Sequence, residues 1–354
     1  MSIKIGNIEL TKRGRPCFIA DIAANHDGDL NRAFKLIELA KEAGADVAKF
    51  QNFHANKIVS RNGFDTMAKQ THQSSWKKSV YEVYEDASLN EDWNYKLKRK
   101  CDEVGIEYMT SPYDFESVDQ VDALVNAYKI GSGDITWTEI LKYISQKGKP
   151  VLIATGASEM KDVSRAVKTI QEYTNQIVLM QCNTNYTADP SNYRYINLNV
   201  LKEYEKAYPS FVLGLSDHTK GYATVLGAIA LGAVVIEKHF TDDNYRDGPD
   251  HKFSTTPKVW REMVDESNNL WLSLGDGIKR VEENEVQTVV VQRRALYSIK
   301  DLQAGDVIKE SDIFPLRPCK EGGILPYEKH LIIGKKVKKN VSKDTCLKKE
   351  DFEC

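Results

Sequence analysis

The stretch CFIADIAANHDGDLNRAFKLIELAKEAGADVAKFQ, residues 17–51, contains the repeating unit that decides the fold. It begins and ends with short apolar runs, 17–22 and 46–51, which predict two buried β-strands. Between them, apolar residues recur at helical spacing over 30–43, and Asp29 is placed to cap the start of that helix. A strand, a helix and a second strand in this order predict parallel strands.

The same alternation continues through most of the chain. Six further apolar runs predict strands at 106–111, 127–131, 150–155, 177–182, 211–216 and 234–239. Eight such units close naturally into a barrel, whereas a doubly wound sheet usually has fewer strands and a nucleotide-binding loop. Neither GxGxxG nor GxxxxGK(S/T) occurs in the sequence. We therefore predict an α/β fold, a (β/α)8 TIM barrel.

The chain of 354 residues is longer than a barrel of typically ~250 residues requires. A last amphipathic helix is predicted near 258–274, and the charged stretch 276–285 follows it. Short strands and turns dominate afterwards. We therefore predict a barrel domain over 1–280, a linker over 281–293 and a small mostly-β domain over 294–354.

One long segment, 53–89, follows the second predicted strand and is rich in Ser, Gln, Asn and His. Connections in compact domains are usually much shorter, and long ones often carry function. We therefore predict that this segment is an active-site loop.

The overall composition excludes several classes of protein. Acidic and basic residues nearly balance, with a formal charge of −2, which gives no strong attraction to nucleic acid or to an anionic membrane. The sequence does not open like a signal peptide, and no apolar run reaches the ~20 residues of a membrane span, so we expect a cytoplasmic protein. Six scattered cysteines without CxxC pairing argue against a structural zinc site and a disulfide framework.

Side chains at the carboxyl ends of the strands surround the active site in barrels of this kind. The predicted strand ends are unusually polar. They carry Asp21, Asn25 and His26; Lys49 and Gln51; Thr110 and Ser111; Lys129, Ser132 and Asp134; Ser216, Asp217 and His218; and Glu237 and His239.

Lys49 and Lys129 stand near two of these ends, and two lysines in one barrel mouth are costly to desolvate without an anion. They predict a phosphate or carboxylate ligand. Two alternatives stay open at this point: each lysine forms a salt bridge within the barrel, or one of them forms a Schiff base as in aldolases.

His218 and His239 end consecutive predicted strands, so their imidazoles are expected to converge and to bind a divalent transition metal. The alternative is a pair of hydrogen-bonded histidines at the barrel rim. Asp250 follows a Gly-Pro turn that would present it over the barrel mouth, although it could equally stabilise its own turn.

Six motifs in this order resemble the phosphoenolpyruvate-dependent sialic acid synthases, which include legionaminic and pseudaminic acid synthases. The resemblance covers nearly the whole chain. The motifs are FIADIAANHDGDL at 18–30, AGADVAKFQ at 43–51, YKIGSGD at 128–134, GLSDHT at 214–219, EKHFTD at 237–242 and GPDHKFS at 248–254.

Residues 294–354 are similar to the antifreeze-like (SAF) domain of that family, with LRP at 316–318 and GILPYEKHLIIGKK at 323–336. The resemblance implies a domain-swapped homodimer in which this domain covers the partner's barrel. Arg317 matches the arginine that the family contributes to the sugar site. Taken alone, Arg317 could equally be a surface charge.

The resemblance also implies roles for individual residues. His218 and His239 would hold a divalent metal, Mn²⁺ before Mg²⁺ or Co²⁺, and Asp21 would act with Lys49 and Lys129 in catalysis. The implied contacts of phosphoenolpyruvate are Lys49, Thr110, Lys129, Ser132, Tyr186 and Ser216, and those of the sugar are Gln51, Asp250 and Arg317. Asp134, Asn183 and Thr184 complete the predicted substrate-binding set.

Several positions depart from the family pattern. Asp21 and Asp134 stand where glutamates are usual, Ala154 replaces a serine, and Asn183-Thr184 reverses the usual Thr-Asn order. These differences change the residues implied for phosphate contact after the fifth and sixth strands, and they predict a differently substituted sugar.

The implied reaction joins phosphoenolpyruvate to an amino-sugar aldose and gives a nine-carbon sialic-type acid and phosphate. The acceptor stays open among N-acetylmannosamine, its 6-phosphate and 2,4-diacetamido-2,4,6-trideoxyhexoses. Alternatives are another phosphoenolpyruvate-dependent 3-deoxy-ulosonate synthase, which lacks the antifreeze-like tail, a Schiff-base aldolase, and a non-catalytic sugar-binding protein.

Overall fold

The structure, a computed structural model, describes residues 2–67, 73, 76–187 and 189–353. Contacts between Cα atoms divide the chain into a first unit that ends at Gly275 and a second that begins at Asp276. The predicted boundaries at 280 and 294 stay predictions. No helix among the described residues is long and apolar enough to cross a membrane.

The first unit is built on a sheet of eight parallel strands, as the sequence predicts. A short antiparallel hairpin, β1 (Ser2–Ile5) and β2 (Ile8–Thr11), precedes them. The eight strands are β3 (Cys17–Asp21), β4 (Val47–Asn52), β5 (Glu107–Pro112), β6 (Tyr128–Ile130), β7 (Val151–Ala154), β8 (Ile177–Cys182), β9 (Val212–Asp217) and β10 (Ala233–His239).

These strands are ordered β5-β4-β3-β10-β9-β8-β7-β6. The two outermost strands, β5 and β6, have Cα atoms within 8 Å of each other, so the sheet curls into a TIM-like barrel. The strand predicted at 127–131 is shorter than expected because a 3₁₀ turn, Ser132–Asp134, begins directly after Gly131.

Helices surround the strands. They are α1 (Leu30–Glu42), α2 (Ala55–Ile58), α3 (Arg61–Asp65), α4 (Val80–Ala87), α5 (Trp93–Val104), α6 (Phe115–Asp122), α7 (Thr138–Gln146), α8 (Met160–Gln171), α9 (Val200–Ala207), α10 (Ala223–Ala230) and α11 (Pro257–Leu274). The capping prediction is confirmed, since the Asp29 side chain accepts hydrogen bonds from the backbone N–H groups of Asn31 and Arg32.

The core has two layers, one between strands and helices and one inside the barrel. Alternate strand residues such as Ile19, Val47 and Val178 fill the interior together with Ile3 and Leu10 of the β1–β2 hairpin. The hairpin therefore closes the amino-terminal end of the barrel, and the carboxyl ends of the strands remain for a site.

The second unit has its own small core, which includes Leu296, Ile324 and Leu347. A helix, α12 (Val286–Gln292), lies within the range predicted as a linker. Strands β11 (Ala295–Ser298) and β12 (Ile313–Leu316) pair antiparallel, and isolated β-bridges join the remaining turns. These short strands, bridges and turns agree with the predicted small mostly-β domain.

Candidate active site

A cavity of about 380 Å³ opens at the carboxyl ends of the barrel strands. Its volume falls within the usual range for a small-molecule site. The structure brings together in its wall most of the predicted site residues, namely Asp21, Lys49, Gln51, Lys129, Ser132, Asp134, Tyr186, Ser216, His218, His239 and Asp250.

A network of buried charges occupies the floor of this cavity. The Lys49 ammonium lies 2.7 Å from Asp21 Oδ2 and 3.9 Å from Glu237 Oε2. The Lys129 ammonium lies 3.1 Å from Glu237 Oε1. Both lysines therefore form the salt bridges that one sequence-based alternative anticipates, yet both also face the cavity.

Burial and neighbouring charges set the protonation of these carboxyl groups. Burial alone would raise the pKa of Glu237, but Lys129 and Lys49 outweigh it and hold this pKa at about 2. Burial raises the pKa of Asp21, with Lys49 opposing and the negative charge of Glu237 adding to the rise. The two carboxyl groups thus differ: one is firmly ionised and the other is more ready to take a proton.

Glu237 is the central residue that the predicted site set lacks. Ser216 Oγ donates a hydrogen bond of 2.9 Å to its Oε1, while its Oε2 is buried and has no hydrogen-bond partner within the described part of the chain. The available signal was strand alternation, because Glu237 lies two positions before His239 on β10 and so shares its face.

His218 and His239 converge as predicted, with ring centroids 5.4 Å apart. His218 Nδ1 lies 2.8 Å from the carbonyl oxygen of Asn183 and donates to it, so the lone pair of the neutral ring lies on Nε2. Burial lowers the pKa of each histidine to about 4, and His239 adds to this effect on His218. Both rings are therefore neutral near pH 7, the state in which imidazole binds a metal.

Aromatic rings cover the histidine pair. Tyr186 lies edge-on to His218 with ring centroids 4.4 Å apart, and Phe253 lies edge-on to His239 at 4.9 Å. Phe253 lines the cavity although the sequence-based set does not include it. These apolar faces lower the local dielectric and strengthen charge interactions at the histidines.

Some predicted residues are placed differently. Thr110 Oγ1 donates to Asn52 Oδ1 at 2.6 Å, and its side chain does not line the cavity, whereas Ser111 does. The reason is that successive side chains of β5 point to opposite faces. Asn183 takes part through its backbone, because its carbonyl oxygen accepts the hydrogen bond from His218 and its side chain does not line the cavity.

Thr184 likewise does not line the cavity, and Arg317 belongs to the second unit. The predicted contact of Arg317 with the sugar stays a prediction.

The segment 53–89 contains α2, α3 and α4, and five of its side chains beyond Phe53 line the cavity: Ile58, Trp76, Val83, Tyr84 and Ala87. These residues of the predicted active-site loop therefore line the candidate site, and its role in catalysis stays a prediction. Positions 68–72 and 74–75 of the predicted loop lie outside the described residues.

A second candidate metal-binding group lies outside the cavity. Ligand atoms of His54, Glu91 and Glu116 lie within 4.8 Å of one another. Both ring nitrogens of His54 already lie 2.8 Å from carboxylates, those of Asp114 and Glu91, and Lys57 pairs with Glu116. This arrangement is typical of a hydrogen-bonded ion cluster, in which the ring nitrogens and the carboxylates are already paired with each other.

Comparison with known proteins gives matches along nearly the whole chain. The model of the NeuB family matches residues 36–279, and that of the SAF domain matches residues 293–353. The N,N'-diacetyllegionaminic acid synthase of Legionella pneumophila is 33% identical over 357 residues, covering 99% of this chain and 98% of that protein.

The human N-acetylneuraminate-9-phosphate synthase is 30% identical over 337 residues, covering 95% of this chain and 92% of that protein. The crystal structure of an N-acetylneuraminic acid synthetase from Leptospira borgpetersenii, in complex with citrate, superposes with a TM-score of 0.72 at 26% identity. That match covers 82% of this chain and 95% of the other.

Proposed function

This chain belongs to the NeuB family, and from that premise we propose that it condenses phosphoenolpyruvate with an N-acetylated amino-sugar aldose to give a nonulosonic acid and phosphate. The observation that carries the proposal is the conjunction of two buried lysines with a neutral histidine pair in one cavity. An anion site beside a metal-type site suits a phosphorylated enol and a carbonyl acceptor.

The charges of the cavity support a bound divalent cation. Four carboxyl groups (Asp21, Asp134, Glu237 and Asp250) line it together with two ammonium groups (Lys49 and Lys129). Burial raises the pKa of Asp134 to about 6, so this carboxyl group is mostly ionised near neutrality, and Lys129 and Lys49 hold the pKa of Glu237 at about 2. The negative excess would repel an anionic substrate unless a cation offsets it.

The histidine pair fits such a cation. His239 Nδ1 is buried without a hydrogen-bond partner among the described residues, and the neutral His218 ring, which donates from Nδ1, carries its lone pair on Nε2. We propose that His218 and His239 hold Mn²⁺, with Mg²⁺ or Co²⁺ as alternatives. When bound, the metal would act as a Lewis acid toward the acceptor aldehyde.

The lysines bind and orient phosphoenolpyruvate in this proposal. Lys49 and Lys129 face the cavity and are paired with carboxylates of the protein. The phosphate and carboxylate of the substrate would take over part of these ion-pair contacts. Ser132 and Ser216 line the same wall and offer hydroxyl donors. The substrate C3 then lies against the acceptor, so proximity lowers the barrier to bond formation.

The chemical steps need a group that holds and moves a proton. C3 of phosphoenolpyruvate forms a bond to the aldehyde carbon, water adds at C2, and the C2–O bond to phosphate breaks. Asp21 Oδ2 accepts from Lys49 at 2.7 Å and lies 3.4 Å from Gln51 Nε2, and burial raises its pKa. We assign to Asp21 the general acid–base role toward the attacking water or the acceptor hydroxyl.

The acceptor would lie near Gln51, Asp134 and Asp250, which line the cavity. The relatives support a choice among N-acetylmannosamine, its 6-phosphate and the diacetamido-trideoxyhexoses. We further propose a domain-swapped homodimer in the cytoplasm, with Arg317 completing the partner's sugar site.

The test is phosphate release from phosphoenolpyruvate by purified protein with Mn²⁺, comparing the three types of acceptor with and without a chelator. We expect chelator-sensitive release with one acceptor, which also names the substrate. Release that is equal without any acceptor, or absent with all of them, would overturn the proposal.

A further inference from the structure

A second buried lysine–carboxylate pair lies beside the cavity without facing it. Lys238 on β10 stands between Glu237 and His239, and Asp217 ends β9 directly before His218. The two residues are partners in the strand register. Their side chains are only 1% and 0% exposed, and neither lines the cavity.

The contacts of this pair enclose the backbone around His218. Lys238 Nζ donates to Asp217 Oδ2 at 2.5 Å and to the carbonyl oxygen of Thr219 at 2.6 Å. Asp217 Oδ1 accepts from the Thr219 N–H at 3.1 Å, and Oδ2 accepts from the hydroxyl groups of Thr219 and Thr224 at 3.0 and 2.8 Å. The residues before and after His218 are thus held by one ammonium group.

That ammonium belongs to the residue that directly precedes His239 in the chain. A single side chain therefore ties the backbone on both sides of His218 to the strand that carries His239. A shift of either histidine would have to break buried, charge-assisted hydrogen bonds, which are the strong ones in proteins.

We propose that Lys238 and Asp217 are positioning residues that fix the separation of His218 and His239 and thereby set the metal affinity of the site. This inference rests on the proposed function, because it takes the histidine pair as the metal site. Buried ion pairs often contribute little net stability compared with apolar residues of the same volume. A pair attached to both histidines therefore has a clearer role in geometry than in stability.

The experiment measures Co²⁺ binding to the full chain by absorption spectroscopy and by competition with a chelator. For Lys238→Met we expect the Kd for Co²⁺ to rise about 10- to 100-fold, as for the loss of groups that orient metal ligands. The KM for phosphoenolpyruvate should change less than about threefold, because Lys49 and Lys129 remain in place.

Lys149→Met is the matched control, since Lys149 Nζ lies 2.8 Å from Asp122 Oδ1 in a lysine–aspartate pair that does not line the cavity. It should leave the Kd for Co²⁺ unchanged. A folded Lys238→Met protein that binds Co²⁺ as tightly as the unaltered protein would overturn the inference.

A His218→Ala variant separates this result from failure of the proposed function. If Co²⁺ binding to the unaltered protein does not depend on His218, the metal site itself is wrong and the inference falls with it. If binding depends on His218 but not on Lys238, only the positioning role is wrong.

Thr224→Val covers the case in which Lys238→Met does not fold. It removes one hydrogen bond to Asp217 and keeps both buried charges. We expect a rise of about threefold in the Kd for Co²⁺. An unchanged Kd in this variant would count against the positioning role.

Discussion

Two buried lysine–carboxylate networks share strand β10 and point to opposite faces of it. Lys238 pairs with Asp217 outside the cavity. Both carboxylate oxygens of Asp217 accept hydrogen bonds, from Lys238, Thr219 and Thr224. Glu237, the preceding residue, pairs with Lys129 and Lys49 inside the cavity and retains a buried oxygen without a hydrogen-bond partner in the described chain.

The two networks differ in how completely their carboxylate oxygens are hydrogen-bonded. They do not differ in burial, because both are almost fully removed from water. A buried charge without its full set of hydrogen bonds costs free energy. The closed network holds the ends of β9 and β10 in a fixed geometry, whereas the open one keeps a carboxylate oxygen that a bound ligand could pair with in the proposed reaction. The following substitutions test this contrast.

The largest effect is expected for Lys129→Met in the open network. Loss of one ammonium removes stabilisation of the phosphate or carboxylate charge, and kcat/KM for phosphoenolpyruvate should fall about 10³-fold. Glu237 keeps its hydrogen bond from Ser216 and its proximity to Lys49. The free energy of unfolding should therefore fall less than in Lys238→Met. Steady-state phosphate release and urea unfolding measure the two effects. Turnover within about threefold of the unaltered protein would contradict the assignment.

Besides weakening metal binding, Lys238→Met in the closed network should lower stability, because it breaks one half of a buried ion pair. It leaves Asp217 buried without its cation, and the free energy of unfolding should fall by about 3–5 kcal/mol. The matched control is the double variant Asp217→Leu with Lys238→Met, which removes both charges and should recover most of that loss. Urea unfolding measures both proteins. Equal instability of the single and double variants would show that an unpaired charge is not the cause.

Asp21→Asn tests the carboxyl group with the raised pKa. Asparagine keeps the size of the side chain but cannot transfer the proton, so kcat should fall about 10²-fold or more. The KM for phosphoenolpyruvate should stay within about threefold, since the lysines remain. Steady-state kinetics with a saturating acceptor gives both values. Normal turnover would remove the acid–base role of Asp21.

The smallest effect is expected at the partly exposed pair around His54, which joins the start of the 53–89 segment to Asp114 and Glu91. The protonated ring donates hydrogen bonds to Asp114 and then Glu91, which raise the pKa of His54, and burial opposes this rise. The stabilisation is therefore complete below the unfolded pKa of about 6.5 and is lost as pH rises through the raised folded value.

His54→Gln should remove this part of the pH dependence, worth at most about 1 kcal/mol for so exposed a pair. The measurement compares the Tm of both proteins at about pH 6 and about pH 8.5. If the Tm of both proteins falls equally between these two pH values, His54 does not contribute to the pH dependence of stability.

The sequence predicts the barrel well because apolar runs and helical spacing recur eight times, and the capping role of Asp29 follows from local chemistry. It also places Lys49, Lys129, His218 and His239 at strand ends, where parallel strands must bring them together.

What the sequence could not give depends on side-chain direction and long-range contacts. Thr110 and Ser111 are adjacent hydroxyl residues, and only the pleat of β5 determines that Ser111 faces the cavity. The pairing of Lys238 with Asp217 requires the register between β9 and β10. His54 meets Glu91 across 37 positions of the chain, which no local pattern indicates.

The most direct test of the account uses phosphoenolpyruvate labelled with ¹⁸O at the oxygen that bridges C2 and phosphorus. Condensation with breakage of the C2–O bond, as proposed for this cavity, predicts that the released phosphate carries the label when the accepted sugar and Mn²⁺ are present. Unlabelled phosphate, with the ¹⁸O left on the three-carbon unit, would mean phosphorus–oxygen cleavage and would contradict the account.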